Sequence, residues 1–451
     1  VNPTSSQVDS KTYDSLSPGE HSRYWGTRFR ISEWTKNSAL VIPCSYLAGA
    51  IILALVMSQT EGSSDALNLK VDNDTARTLL SSIAGGMIAF SGLVVSVAVL
   101  VAQFAAGQYS PRLVSGFRRD RVFKRALGLF IAPAVYSLVC LREIGRNGSG
   151  AAPSLTLGVA FLLLGIAIIA FFILIGLLLD LLRPRKLVER LVTEGVHSAT
   201  EVYPFREGHS PLTKDKHEDD PFELLRYQGQ PAVLSALDRG QLVRLARANG
   251  CVIELTVGVG AYLPKAATIF KVHSPTGSSD ISEDDLQRCV IVGDGRTITQ
   301  DPAFAIRSMV DIAIRALSPA VNDPTTAVEV LDGLETFLLA LAWRDLDRGR
   351  IADREGNVRL VFPNSGWDAL LDLALSEIRI FGSGSPQVTR RMTALLADLD
   401  RHAPASRAAS IQFQRERLRL AVESNVSSTA EQAYGLTADR IGIGTVPPKA
   451  S

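Results

Sequence analysis

The chain is 451 residues long and 46% hydrophobic, with 47 basic against 46 acidic residues and a formal net charge of +1. So even a balance gives no electrostatic case for nucleic acid as a partner. The four cysteines and six histidines are scattered without CxxC, HxxxH or HExxH spacing, so neither a disulfide framework nor a zinc site is expected, and no cofactor is called for.

Residues 1–37 form an N-terminal segment without the layout of a signal peptide, because the first apolar run begins too late. Tyr24, Trp25, Phe29 and Trp34, set among Arg28, Arg30 and Lys36, read as an interfacial anchor. Four apolar stretches follow, at 38–57, 79–106, 126–141 and 155–182. The first is an uncharged run of about 20 residues, enough as a helix to cross about 30 Å of hydrocarbon. The third is the shortest and carries Pro133. The fourth, LTLGVAFLLLGIAIIAFFILIGLLL, is the most apolar. Residues 38–182 are therefore expected to be a four-helix transmembrane domain.

Orientation follows from Lys and Arg in short loops. Arg112, Arg118, Arg119, Arg121, Lys124 and Arg125 follow the second stretch, and Arg183, Arg185, Lys186 and Arg190 follow the fourth. The loop between the first two stretches is acidic. This places both termini and the C-terminal part in the cytoplasm. Arg112, Arg118 and Arg119 are candidate headgroup contacts, with membrane lipids as partners.

The second stretch repeats small residues. Ser82, Gly85, Ala89, Gly92 and Ser96 recur every three or four positions and share one helix face with Gln103. Such a face suits close helix–helix packing, or the wall of a pore built from several copies, and packing between copies satisfies both. A homo-oligomer is expected on either reading.

Beyond the membrane, residues 183–228 read as a connector. Its run DKHEDD (215–220) is a solvated acidic loop rather than a cation site. Residues 229–298 carry short β-type runs and are expected to be a small β-rich subdomain, a compact barrel or sandwich. The Gly258-Val-Gly260 sequence is a turn between strands, since no phosphate-binding glycine pattern follows it. Residues 299–425 are expected to be mainly helical. Asp301-Pro302 and Asp323-Pro324 begin two helices, each Asp capping free N–H groups and each Pro fitting the first turn. Arg307, Asp311 and Arg315 form one charged stripe, an internal ion-pair network or an anion site. Asp345 and Asp347 fail the calcium-loop pattern and introduce a hairpin with 358–362 as its second strand. Helices follow at 366–381, 386–402 and 405–424, and 426–451 reads as a flexible tail. The fold class is thus an α-helical membrane domain plus a cytoplasmic α+β domain.

Two segments carry a family resemblance. SSIAGGMIAFSGLVVSVAVLVAQFAAGQYSPRLVSGFRRDR (81–121) and QDPAFAIRSMVDIAIRALSPAVNDPTTA (300–327) resemble the signature regions of the bacterial membrane family called domain of unknown function 2254. The resemblance implies an integral inner-membrane protein of this layout and supplies no activity or site residue. With no nucleophile–base pair, metal spacing or phosphate loop, the chain is not expected to be an enzyme. An oligomeric channel-like protein with a cytoplasmic regulatory domain and a membrane-anchored scaffold or sensor remain the two readings. The sequence names no effector or protein partner.

Overall fold

A computed structural model describes residues 38, 40–60, 72–108, 120–147, 154–204, 220–275, 277, 280–346, 349–353 and 355–442. They fall into two compact units that divide between Leu187 and Val188.

The first unit is helical: α1 (Val41–Thr60), α2 (Asn73–Gln108), α3 (Arg121–Asn147) and α4 (Ser154–Leu181). Three of these, α2, α3 and α4, contain segments long and apolar enough to cross a membrane, whereas α1 is a shorter apolar helix. The expected set of four spans is therefore met by three, with α1 packed beside them on α3. The helix that looked weakest in sequence is the centre of the unit. α3 packs against α1, α2 and α4 and is the most buried of the three candidate spans. A helix that faces other helices needs less apolar surface than one that faces lipid, which accounts for its modest hydrophobicity. Its core side is built from Phe130, Ala132, Ala134, Tyr136 and Cys140, with Phe90 of α2 edge-on to Phe130 at 5.5 Å. The Tyr136 hydroxyl donates to the Thr156 carbonyl of α4 at 3.2 Å. α3 also begins earlier than expected, so Arg121, Lys124 and Arg125 lie in its first turns rather than in a loop, and Lys124 is buried.

The second unit opens with α5 (Pro184–Val202), which packs through Gly195 so tightly that a Cβ there would stand 2.8 Å from Ala305 Cβ. Then come β1 (Phe222–Arg226), β2 (Ala232–Leu237), α6 (Arg239–Ala248), β3 (Val252–Leu255), β4 (Tyr262–Leu263) and β5 (Thr268–His273). After α7 (Glu283–Arg288) and β6 (Val290–Gly293), two long helices follow, α8 (Pro302–Ala316) and α9 (Pro324–Ala342). The hairpin β7 (Arg350–Ala352) and β8 (Val358–Val361) precedes α10 (Trp367–Gly382), α11 (Pro386–His402), α12 (Ala408–Asn425) and α13 (Thr429–Gly435).

The strands make a five-stranded sheet, β1-β5-β3-β8-β7, and a three-stranded one, β4-β2-β6. All pairs are antiparallel except β3–β8, which run parallel with Ile253 beside Leu360. Leu234, Leu242, Ile253, Leu263, Phe270 and Leu360 fill the core of these sheets. The hairpin at 350–361 thus completes a sheet whose other strands lie between Phe222 and His273. β1 lies before the start of the expected β region, and β2 lies within it. Gly260, at φ +91°, holds the turn before β4 in a conformation open to glycine.

Asp301 and Asp323 cap α8 and α9, accepting from Phe304 N at 3.2 Å and Thr326 N at 3.1 Å, and proline follows each in the first turn. α8 lies on α9 and α10, α9 on α11, and α12 on both α10 and α11. The expected flexible tail is a correction: α13 forms, and the described residues after it are held down. Buried Arg390 donates through Nε to the Thr437 carbonyl at 3.2 Å, lies 4.3 Å above the Tyr434 ring and faces buried Asp439 at 3.6 Å. The Gln387 amide donates to Gly442 O at 2.7 Å. Such anchoring by single charges and backbone groups leaves no hydrophobic period to read.

Candidate functional site

In the membrane unit α2 has two unlike faces. Leu80, Ile83, Met87, Val94, Ala98 and Ala102 are buried against the other helices. The small residues lie on the opposite side: Ser82, Gly85, Ala89, Gly92, Ser96 and Gln103 are all exposed. Among the described residues nothing comes within 4 Å of a Cβ placed at Gly85, Gly86 or Gly92, so this face takes no part in their packing. Its hydroxyls are satisfied locally. Ser82 donates to the Thr78 carbonyl at 2.7 Å and Ser96 to that of Gly92 at 2.9 Å, the back-bonding that lets serine sit in an apolar helix. The Gln103 amide, on the same face, makes no hydrogen bond among the described residues. Arg112, Arg118 and Arg119 lie outside the described residues, as does the acidic run at 215–219.

In the second unit the predicted stripe on α8 reaches beyond its own helix. Arg307 is clamped: its Nε donates to Asp311 at 2.7 Å, its Nη2 donates to Glu377 of α10 at 3.1 Å and its Nη1 meets the same carboxylate. Hydrogen bonding to Arg307 holds the Glu377 carboxyl below its usual range, against the upward push of burial. Arg315 is exposed at the end of the helix. The first two residues thus belong to an ion-pair network that includes Glu377, a partner the stripe itself did not reveal.

A second charged cluster was not legible in sequence. α10 and α12 run side by side in the same direction, with Asp368 meeting Ser410, Asp372 meeting Gln414, and Ser383 meeting Asn425, each pair 42 positions apart. Asp372 accepts from Ser376 at 2.6 Å, from Gln414 at 3.1 Å and from Arg417 at 2.6 Å, and these bonds outweigh burial and keep its carboxyl below the ordinary range. Arg379 lies in the same seam, 6% exposed. The polar positions 368, 372, 376 and 379 of α10 were the available signal, since they share one face.

A cavity of about 440 Å³ opens beside α9 and α11, lined by Glu335, Leu339, Trp343, Arg391, Asp398, His402 and Arg440. Its charged groups are committed to one another, Arg391 to Asp332 and Glu335 at 2.6 Å each, and Arg440 to Asp398. Cys251 and Cys289 are buried, and burial, aided by Asp238 and Asp285, pushes the Cys289 thiol up to about 12, far from a reactive thiolate. Among the described residues no group of three His, Cys, Asp or Glu could hold a metal ion.

This chain has relatives that carry the description uncharacterized protein. It is 26% identical over 407 residues to uncharacterized proteins of Mycobacterium bovis and Mycobacterium tuberculosis, covering 87% of this chain and 77% of each relative. No solved structure matches it significantly. The family model described as "Predicted membrane protein (DUF2254)" matches residues 36–398. With most of its length matched and its apolar helices in place, the chain belongs to that family of membrane proteins.

Proposed function

We propose that the protein is a homo-oligomeric, channel-like protein of the bacterial inner membrane whose α+β unit regulates it from the cytoplasm. In this reading α1 also crosses the bilayer, which makes four passes, and the basic residues Arg183, Arg185, Lys186 and Arg190 keep the α+β unit inside. The carrying observation is the outward small-residue face of α2. Lipid gains nothing from glycine and alanine on a helix, whereas another α2 does, because small residues let backbones approach and gain dispersion contacts. Gln103 supports the same arrangement. Around a central axis its amide meets either water or the amide of a neighbouring copy, both better partners than lipid.

The scaffold or sensor reading has its own observation. The back-bonded hydroxyls of Ser82 and Ser96 have no need of water, so the face can also close into a dry contact. Ion flux into liposomes holding the purified protein separates the two, with oligomeric state measured alongside. Flux that Ser96→Leu or Gln103→Leu removes from an intact oligomer supports the channel. An intact oligomer without flux across voltage and salt supports the scaffold, and a monomer defeats both uses of the face.

A further inference from the structure

We infer that the seam between α10 and α12 is a binding site for an oxyanion, a phosphate or carboxylate group, held by Arg379 and Arg417. The argument begins with register. Three polar levels of the seam, at Asp368, Asp372 and Ser383, are matched across the two helices at an offset of 42 positions. At the level of Arg379 that offset brings Ala421, which has no acceptor to give. Among the described residues Arg379 consequently makes one hydrogen bond, from Nη2 to the Ser376 hydroxyl at 3.3 Å, and its buried Nε has no partner. Among the described residues no carboxylate forms an ion pair with it.

Charge makes the same point. Asp372 is the one carboxylate bonded within this stretch of the seam, and Arg417 already occupies it at 2.6 Å while also donating to Ser376 at 3.3 Å. Two guanidinium groups therefore share one carboxylate, and the more buried of the two goes without. Burial and the nearby charge of Arg417 both press the Arg379 guanidinium towards giving up its proton, against the pull of Asp372. A buried cation without a counter-charge is strongly unfavourable, and native structures keep one where something supplies the missing charge.

Access and shape favour an anion carried on an apolar body. The seam is open on the side of Arg379 towards the start of α10, where Arg417 is 35% and Asp372 50% exposed. Ile380 on α10, and Phe413 and Leu420 on α12, are large apolar side chains exposed beside it. Phe413, Arg417 and Leu420 fall on one face of α12, with the guanidinium of Arg417 5.5 Å from the Phe413 ring. An oxyanion bridging the two arginines would accept charge-assisted hydrogen bonds from planar donors, the geometry for which arginine is suited. The apolar rim would meet a lipid's hydrocarbon or be left unused by free phosphate.

The test is thermal melting of the purified full-length protein in detergent. Sodium phosphate is compared with sodium chloride at matched ionic strength, and micelles doped with phosphatidylglycerol with micelles doped with phosphatidylcholine. The wild type should melt about 5 °C higher with phosphate or with the anionic lipid. A response to both identifies a general oxyanion site, and a response to the lipid alone identifies a headgroup site. Arg379→Met and Arg417→Gln should each abolish the response, and Arg379→Met should melt no lower than the wild type in chloride, because it removes a charge that has no partner. Identical melting of the wild type in all four conditions overturns the proposal. So does a response that survives in either variant, or an Arg379→Met protein that melts well below the wild type in chloride.

Discussion

Gly128 of α3 is pressed against the ring of Tyr46 on α1: a Cβ at position 128 would stand 2.7 Å from Cδ2 and 2.9 Å from Cβ of the tyrosine. The obstructing atoms include the root of the side chain, which cannot swing aside without moving α1. Gly128→Ala should therefore destabilise the membrane unit by about 1–3 kcal/mol, the usual cost of overpacking. Gly92→Leu should leave the melting of the monomer unchanged, because none of the described residues lies near that position, and act only on assembly. Melting and size measurements on both variants in detergent test the pair. Equal effects on melting would mean that the two faces of the bundle are not as different as described.

Arg307 has two carboxylates, so loss of one should be tolerated. Asp311→Ala leaves the Glu377 contact and should cost about 1 kcal/mol. Asp311→Ala with Glu377→Gln leaves a half-buried guanidinium without an anion and should cost about 3 kcal/mol or more, beyond the sum of the single changes. Chemical denaturation of the four proteins of this cycle checks the excess. Strict additivity would show that the two contacts are independent.

Acid should weaken the β7–β8 hairpin through Asp353. Burial pushes this carboxyl up, but Arg359 at 2.7 Å and the backbone N–H groups of Asn357 and Glu355 outweigh it, leaving the group below its ordinary value. A carboxyl with a lowered value in the fold binds protons less readily folded than unfolded. Its contribution is therefore complete above the unfolded value of about 3.9 and is lost as pH falls through the lower folded value. Asp353→Asn should melt lower than the wild type at neutral pH, and the gap should narrow below about pH 4. A gap that stays constant down to pH 2 would rule out this ionisation as the source.

Removing residues 429–451 should destabilise the α+β unit, since it strips Thr437, Tyr434 and Asp439 from Arg390, whose side chain is 1% exposed. The expected loss is about 3–5 kcal/mol, as for other buried pairs broken from one side. Arg390→Met made in the truncated protein should recover part of it. Denaturant midpoints of the three proteins decide the matter.

The apolar helices and the capped starts of α8 and α9 were legible because their signals are local: uncharged runs in one case, Asp-Pro pairs in the other. The central place of α3 was not, because a helix buried by its neighbours is less apolar than one bathed in lipid. The pairing of β3 with β8 was missed for a different reason. Val358-Arg-Leu-Val361 reads as half of a hairpin, and nothing in it names a second partner so far away. For the charged groups, the i, i+4 spacing exposed Arg307 and Asp311 but gave no hint of Glu377. The isolation of Arg379 depends wholly on the register between two helices, which spacing within one helix cannot convey.

The parallel pairing of β3 with β8 also sets an order of events at the ribosome. Cys251, next to β3, and Arg359, within β8, are 108 positions apart, so the open side of β3 waits for that much further chain. At about 5–20 residues per second the wait lasts roughly 5–20 s, long against the microseconds to milliseconds in which helices and hairpins form. During it Ile253 and Leu255 stand on an unpaired strand edge, the kind of surface that recruits other chains. A nascent chain arrested between α8 and β7 is thus the form of this protein most exposed to aggregation, and the stage at which a chaperone has most to protect.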